Sequence, residues 1–185
     1  IMFKQMTLTL EDMASITTGL STIKRYKTTG DGAPWRVMRS IHQGTLEVDT
    51  IHLALTPRVS QRVTLHAGDL LVTAKFHGHC PLYLVTDADQ GAIATQMVLI
   101  VRSLNSNLTP MLNVFLRSAE GQKRLQALAQ NIHFRSPHHS PLKYLSVSTL
   151  KTLAIPQPQH WNSLIHKWTQ LQNAAHNFEH LCQEI

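Results

Sequence analysis

Eight apolar residues at the C-terminal end place the tightest constraint on this chain. Trp161, Leu164, Trp168, Leu171, Ala175, Phe178, Cys182 and Ile185 follow one another at alternating spacings of three and four residues, the a/d pattern of a heptad seam. A helix over these positions would be about 37 Å long at about 1.5 Å per residue. An amphipathic helix lying on its own domain is the simpler reading of such a stripe. The narrowness of the stripe, and the Pro156-Gln157-Pro158 boundary just before it, favour a coiled coil instead. No second heptad run of this length occurs in the sequence, so the helix is expected to pair with another chain.

At 185 residues, 43% of them hydrophobic, the chain can bury one full core and is not expected to be disordered. Charged residues make up only 15%, yet 17 Lys and Arg stand against 11 Asp and Glu, a net charge of +6. This imbalance favours a polyanionic partner, nucleic acid above membrane, because clustered cations gain by displacing counterions from phosphates. Charge alone does not decide the matter, since many basic proteins bind no polyanion. Two cysteines, Cys80 and Cys182, form neither a disulfide framework nor a CxxC pair, which suits a reducing compartment. The opening run Ile1-Met2-Phe3-Lys4-Gln5-Met6 is too short and too polar for a signal peptide. No stretch approaches the roughly 20 apolar residues of a membrane span. A soluble, cytoplasmic protein is expected.

Along the chain, residues 9–16 read as a short helix capped by Thr9 with acids in its first turn. Residues 20–33, with Ser, Thr, Lys and two glycines, read as a long loop. Strands are expected over 35–41 and 46–55, where Leu46, Val48 and Ile51 are spaced among polar residues. Ala67-Gly68-Asp69 is a turn leading into a buried strand, Leu70 to Ala74, and further strands fall at Pro81 to Thr86 and Ala92 to Arg102. Thr109-Pro110 then opens a helix with Met111, Leu112, Phe115 and Leu116 on one face. A second helix runs from about Ala119 to Gln130 with Leu125 and Leu128 inward. Residues 131–141 are loop, and Ser148 to Ile155 gives a helical turn and a short strand.

The order of these elements carries a resemblance. It consists of Ile16-Thr17-Thr18-Gly19, then Ala67-Gly68-Asp69-Leu70-Leu71-Val72-Thr73 followed by Gly78. Phe115-Leu116-Arg117-Ser118 with Gly121-Gln122 comes next, and Leu150-Lys151-Thr152-Leu153-Ala154-Ile155-Pro156-Gln157-Pro158 precedes the long helix. Over nearly its whole length the chain resembles a target recognition domain plus conserved helix of type I restriction-modification specificity subunits. The resemblance implies an α+β fold: a mixed globular target recognition domain over 1–158, then a long C-terminal coiled-coil helix over 159–185. It implies a non-catalytic, cofactor-free subunit that binds double-stranded DNA and directs a DNA methyltransferase subunit, and in some assemblies a restriction subunit, to its target. The family's usual subunit carries two such domains and two such helices, where this sequence has one of each. A homodimer through Trp161 to Ile185, reading an interrupted palindrome, is therefore expected.

Charge and loop placement select the candidate DNA contacts. Lys24, Arg25, Lys27, Arg36 and Arg39 lie between residues 24 and 39 with Asp31 as the one acid. Flexible cations can neutralise phosphates, and an ordered Arg can pair with guanine in the major groove; a solvated surface loop is the alternative. Lys75 and His77, after the central strand, fall in a region that the resemblance turns toward DNA. Arg135, Ser136, His138 and His139, on a segment that also holds Pro137 and Pro141, form a third candidate loop. Lys123 and Arg124 are expected to meet DNA backbone or water.

Other chemistries find weaker support. His77, His79 and Cys80 with nearby His66 lack the paired spacing of structural zinc sites. His176 and His180 sit at i, i+4, but twelve histidines scattered over a chain produce such a pair by chance. There is no GxGxxG after a strand, GxxxxGK[ST], HExxH or GxSxG. Neither a methyltransferase cofactor loop nor its catalytic tetrad is present, and Asp69 and Lys75 lack the Glu-x-Lys of a metal nuclease. The competing function is a protein-interaction adaptor of the same fold that does not read DNA. Whether the long helix pairs with itself is open to a direct test. Leu171→Asp places a charge in the seam and is expected to convert a dimer to a monomer in sedimentation velocity. A wild-type chain that stays monomeric at high concentration would count against self-pairing.

Overall fold

The computed structural model describes residues 8–28, 32–42, 45–132 and 142–156. In chain order it begins with β1 (Leu8–Thr9), a 3-10 turn (Leu10–Asp12), β2 (Ala14–Thr18) and α1 (Ile23–Tyr26). A long ribbon of β3 (Ala33–His42) and β4 (Thr45–Leu53) leads to α2 (Pro57–Val63). Then come β5 (Leu70–Thr73), β6 (Lys75–Phe76), β7 (Leu82–Leu84), a second 3-10 turn (Asp87–Asp89), β8 (Ile93–Ala94) and β9 (Val98–Ser103). The last part holds α3 (Leu108–Arg117), α4 (Ala119–Leu128), β10 (Gln130–Ile132), β11 (Leu142–Tyr144), α5 (Val147–Lys151) and β12 (Ala154–Ile155). The fold is α+β. Among the described residues no helix is long and apolar enough to cross a membrane.

Two strands decide the layering. β5 and β9 are nearly continuous apolar runs because both of their faces are covered, as such runs require. They form the centre of an antiparallel sheet of order β2-β9-β5-β7. On one face Leu70, Val72, Leu99 and Val101 pack with Leu112, Phe115 and Leu116 of α3, Leu125 of α4 and Leu150 of α5. On the other, Leu71, Val98 and Ile100 meet Met38 and Ile41 of β3 and Ala94 of β8. The second sheet, β4-β3-β8, is itself covered on its far side, where Val37, Leu53 and Ile93 pack with Leu20, Val63 and the half-buried Ile23 and Tyr26. Helices, sheet, sheet and short helices thus stack in layers. A small sheet of order β10-β11-β6 and the β1–β12 pair close the ends of the described chain.

The β3–β4 pairing slips at a bulge between Met38 and Ser40. Strand residues alternate faces, so Met38 and Ile41, three apart, would point opposite ways on a regular strand. One extra residue corrects the phase and puts both in the same core. That extra residue is Arg39, which is left exposed.

Polar groups lock the layers together. Asp69 is 1% exposed and takes a two-pronged contact from Arg102: Nε donates to Oδ1 at 2.7 Å and Nη2 to Oδ2 at 2.7 Å. His66 N–H also donates to Asp69 Oδ2 at 2.8 Å, and Arg102 Nη2 reaches the Thr64 carbonyl at 3.0 Å. The pair ties the turn before β5 to β9, and the Asp69 contact raises the pKa of Arg102. On the helical side, the Gln122 carboxamide accepts from Cys80 N–H at 2.8 Å. It donates to the carbonyls of Cys80 at 3.2 Å and Leu116 at 2.9 Å. Gly121 makes this possible, since a Cβ there would lie 2.0 Å from the Phe115 carbonyl oxygen. Ser118 caps α4 by accepting from Gly121 N–H at 3.1 Å.

Several expectations are corrected. Residues 9–16 do not form a helix. Thr9 caps as expected, with its N–H and hydroxyl both on Asp12 Oδ2 at 2.8 and 2.7 Å, but the turn ends at Asp12. Ile16, Thr17 and Thr18 are β-branched and pair with β9 as β2. Residues 20–33 contain one helical turn, α1. Ala92 to Arg102 is two strands, interrupted by a turn over 95–97. α3 starts two residues before Pro110, which is tolerated because first-turn N–H groups have no helical partner. α2 was not expected, although Thr56-Pro57 is the same cap-and-proline signal that Thr109-Pro110 suggested. The long helix over 159–185 lies outside the described residues.

Removing one partner of a buried ion pair costs about 3–5 kcal/mol. Arg102 keeps 34% of its side chain exposed and can recruit water, so Asp69→Ala is expected to lose about 2–3 kcal/mol, measured as a lower urea midpoint at unchanged m-value.

Candidate nucleic-acid interface

The surface of interest is organised by the turn between β8 and β9. β2 runs into Gly19, where a Cβ would lie 2.3 Å from the Ala94 carbonyl oxygen and 2.4 Å from that of Thr95. With glycine there, the backbone docks against the turn: Gly19 N–H donates to Val98 at 3.3 Å, Leu20 N–H to Ala94 at 2.7 Å, and Gln96 N–H to Leu20 at 3.0 Å. Thr95 ties the turn to the bulged strand, its N–H donating to the Met38 carbonyl at 3.1 Å and its hydroxyl to the Arg39 carbonyl at 3.1 Å. On the other side Ala74 N–H donates to the Met97 carbonyl at 2.9 Å. Three strands therefore fix the turn, and the side chains of Gln96 and Met97 are left exposed.

A groove lies on each side of this turn. One, of about 530 Å³, is lined by Ser21, Thr22, Lys24, Lys27, Arg39, Ile51, Thr95, Gln96 and Met97 among others. The second, of about 500 Å³, is lined by Thr18, Ser21, Ala74, Lys75, Gln96, Met97, Ile132 and Tyr144. Ser21, Gln96 and Met97 belong to both and form the ridge between them.

The structure thus brings together Lys24, Lys27, Arg39 and Lys75, which the sequence scatters over 52 positions. No carboxylate among the described residues pairs with the three lysines. Arg39 Nε contacts Asp49 Oδ2 at 2.6 Å, with side chains 50% and 43% exposed. A pair so wet contributes about 0–1 kcal/mol, and Arg39 can exchange that carboxylate for another anion. Strand alternation sets Arg39 on the face that lines the groove while its neighbour Met38 stays in the core.

Other candidates are placed elsewhere. Arg36 turns to the second 3-10 turn, donating from Nη1 to the Ala88 carbonyl at 2.6 Å, with Nη2 at 3.7 Å from Asp89 Oδ1. Burial opposes ionisation of Asp89, but hydrogen bonds from Thr86 and Tyr83, together with the Arg36 charge, outweigh it and hold its pKa below the usual aspartate value. Arg25 lies over the Tyr26 ring at 6.0 Å and His77 is exposed in the loop after β6; neither lines the two grooves. Arg135, His138 and His139 lie outside the described residues. Their segment leaves β10 at Ile132, which lines the second groove, and returns at Leu142. Arg124 is engaged in the fold, bonded to Glu120 at 2.7 Å and the Ala154 carbonyl at 2.7 Å, above the Phe115 ring.

Gln96, Met97 and Tyr144 escaped the sequence reading. Met97 sits inside the apolar run Ala92 to Arg102, and the Thr95-Gln96 pair that interrupts the run was the available signal of a turn. Among the described residues, His66, His77, His79 and Cys80 form no group that could hold a metal ion, and His176 and His180 lie outside the described residues. Cys80 is buried, its Sγ 3.6 Å from the Thr73 carbonyl and its pKa pushed up to about 12 by burial, whereas His66, His77 and His79 are exposed. Asp69 has both oxygens committed to Arg102 and His66.

No family model and no curated protein matches this chain. Solved structures do. The type I restriction-modification system S subunit from M. genitalium is similar at a TM-score of 0.57 and 15% identity, over 99% of this chain and 43% of that one. The HsdS subunit from Thermoanaerobacter tengcongensis is similar at a TM-score of 0.55 and 14% identity, over 94% and 38%. A chain from a structure concerned with complex assembly and conformational transition of the type I R-M system matches at 0.53 and 13%, over 96% and 40%. The fold is that of a single target recognition domain, and the chain spans about two fifths of the length of the S subunit chains that it matches.

The ridge depends on Gly19. Gly19→Ala would force β2 away from the β8–β9 turn, and overpacking of this kind costs about 1–3 kcal/mol; a lowered melting temperature by circular dichroism is the expected result.

Proposed function

We propose that this chain is a non-catalytic DNA-specificity module, which reads double-stranded DNA across the two grooves and brings a DNA methyltransferase subunit to the site. The observation that carries the reading is the convergence of Lys24, Lys27, Arg39 and Lys75 on two adjoining grooves. The likeness to S subunits supports it, since that fold in those proteins belongs to type I restriction-modification systems. Lysines without carboxylate partners among the described residues are suited to phosphates, and a fixed ridge of Ser21, Gln96 and Met97 between them is suited to base edges. The heptad positions from Trp161 to Ile185 would then pair two copies, giving two recognition domains at a set spacing. In assemblies that cleave, the same dimer would also carry a restriction subunit. Arg135, His138 and His139, on the segment that begins beside the second groove, would extend the contact.

The test is the salt dependence of binding to duplex DNA, followed by fluorescence anisotropy. Each phosphate contact contributes about 0.9 to the slope of log K against log salt. Lys24→Ala, Lys27→Ala and Lys75→Ala are each expected to lower that slope by about one and to weaken binding to all sequences alike. Arg36→Ala is expected to leave the slope unchanged, because Arg36 serves the Ala88 and Asp89 turn. A wild-type chain with no measurable DNA affinity at about 50 mM salt, with and without a methyltransferase subunit, would overturn the proposal.

A further inference from the structure

Phosphate binding leaves one feature of this face unexplained. Gln96 stands on the ridge shared by both grooves, exposed, and its carboxamide has no hydrogen-bond partner among the described residues. The backbone beneath it is held by Leu20, Thr95 and Val98, so the side chain projects from a fixed platform. Cations stand on either side, Lys24, Lys27 and Arg39 in one groove and Lys75 in the other.

The chemistry of the group is specific. A carboxamide offers a donor and an acceptor in one plane, the complement of the N7 acceptor and N6 donor that adenine shows in the major groove. Guanine shows two acceptors there and cytosine a donor alone, so neither satisfies both halves of the amide. Thymine, adenine's partner, adds a methyl group in the same groove, and Met97, 36% exposed beside Gln96, offers it an apolar surface. We propose that Gln96 is the base-selecting side chain of this face, pairing through both amide atoms with an adenine while the flanking cations hold phosphates. The assignment rests on the DNA-recognition reading above.

Selection of sites from a random-sequence duplex pool by the full chain tests it. Wild type is expected to enrich a motif containing an adenine. Gln96→Ala should lose preference at that position by about tenfold, equal to about 1.4 kcal/mol, while the rest of the motif is kept. Gln96→Glu keeps the size but only accepts, and should exchange the preferred adenine for cytosine, whose N4 donates. Lys27→Ala should lower affinity for every sequence and keep the motif. If Gln96→Ala melts like wild type and enriches the same motif as strongly, the assignment of Gln96 falls while DNA recognition stands. If wild type enriches no motif at any salt, the DNA-recognition reading falls and takes this assignment with it.

Discussion

The double burial of β5 and β9 governs everything else in the domain. A strand with both faces apolar must be covered twice, so α3, α4 and α5 on one side and the β3–β4–β8 sheet on the other are obligatory. Burial at this density also leaves no room for irregular polar groups in the middle. Two polar locks stand at the margins of the central sheet, where Asp69 meets Arg102 and Gln122 holds Cys80. The β8–β9 turn lies at another such margin. Its position on the surface follows from β9 having to run through the centre and β8 having to pair with β3.

The electrostatics of the face follow from the same frame. Acids are scarce in the chain, 11 against 17 basic residues, and most of those described are already engaged. Asp69 holds Arg102, Asp12 caps the first turn, Asp89 receives Thr86, Tyr83 and Arg36, and Glu120 pairs with Arg124. What is left over is positive, and Arg39 adds one more cation to the groove. The alternation that keeps Met38 in the core thus also sets where the Arg39 guanidinium stands. Packing and charge placement are here a single event.

The sequence made much of this legible, and the losses have physical causes. Long apolar runs announced β5 and β9 because double burial writes an unbroken signal, and α3 showed its face because Met111, Leu112, Phe115 and Leu116 keep a helical period. The helix expected over 9–16 failed because a cap specifies where a turn starts and says nothing of where it stops; the pairing of β2 with β9 stopped it. The small strands β6, β10 and β11 exist only through one another, so no local pattern could reveal them. The site was half legible. Lysines in a polar stretch advertise themselves, but which basic residues converge is a long-range property. Arg36 and Arg39, three apart in one strand, point to opposite faces and serve different ends, the Ala88–Asp89 turn and the groove.

The motifs that carry the resemblance also acquire a definite meaning. Gly19 is needed for a close backbone approach, Asp69 for an ion pair, Gly121 for the α3–α4 junction and Gln122 for clamping Cys80. Each serves the frame, and Asp69, Gly121 and Gln122 are buried within it. The side chains that the proposed reading would use to select a partner, Gln96 and the lysines beside it, are exposed and have no carboxylate partner among the described residues. They could change without unfolding it, because an exposed side chain with no partner leaves no cavity and no orphaned group when replaced. A domain built this way separates stability from specificity. Its fold can be recognised at 13–15% identity to solved structures while the exposed side chains on the ridge and in the grooves are free to differ. The turn that presents Gln96 joins the two, since Gly19 and Thr95 fix its backbone as part of the frame and leave its side chains to the solvent.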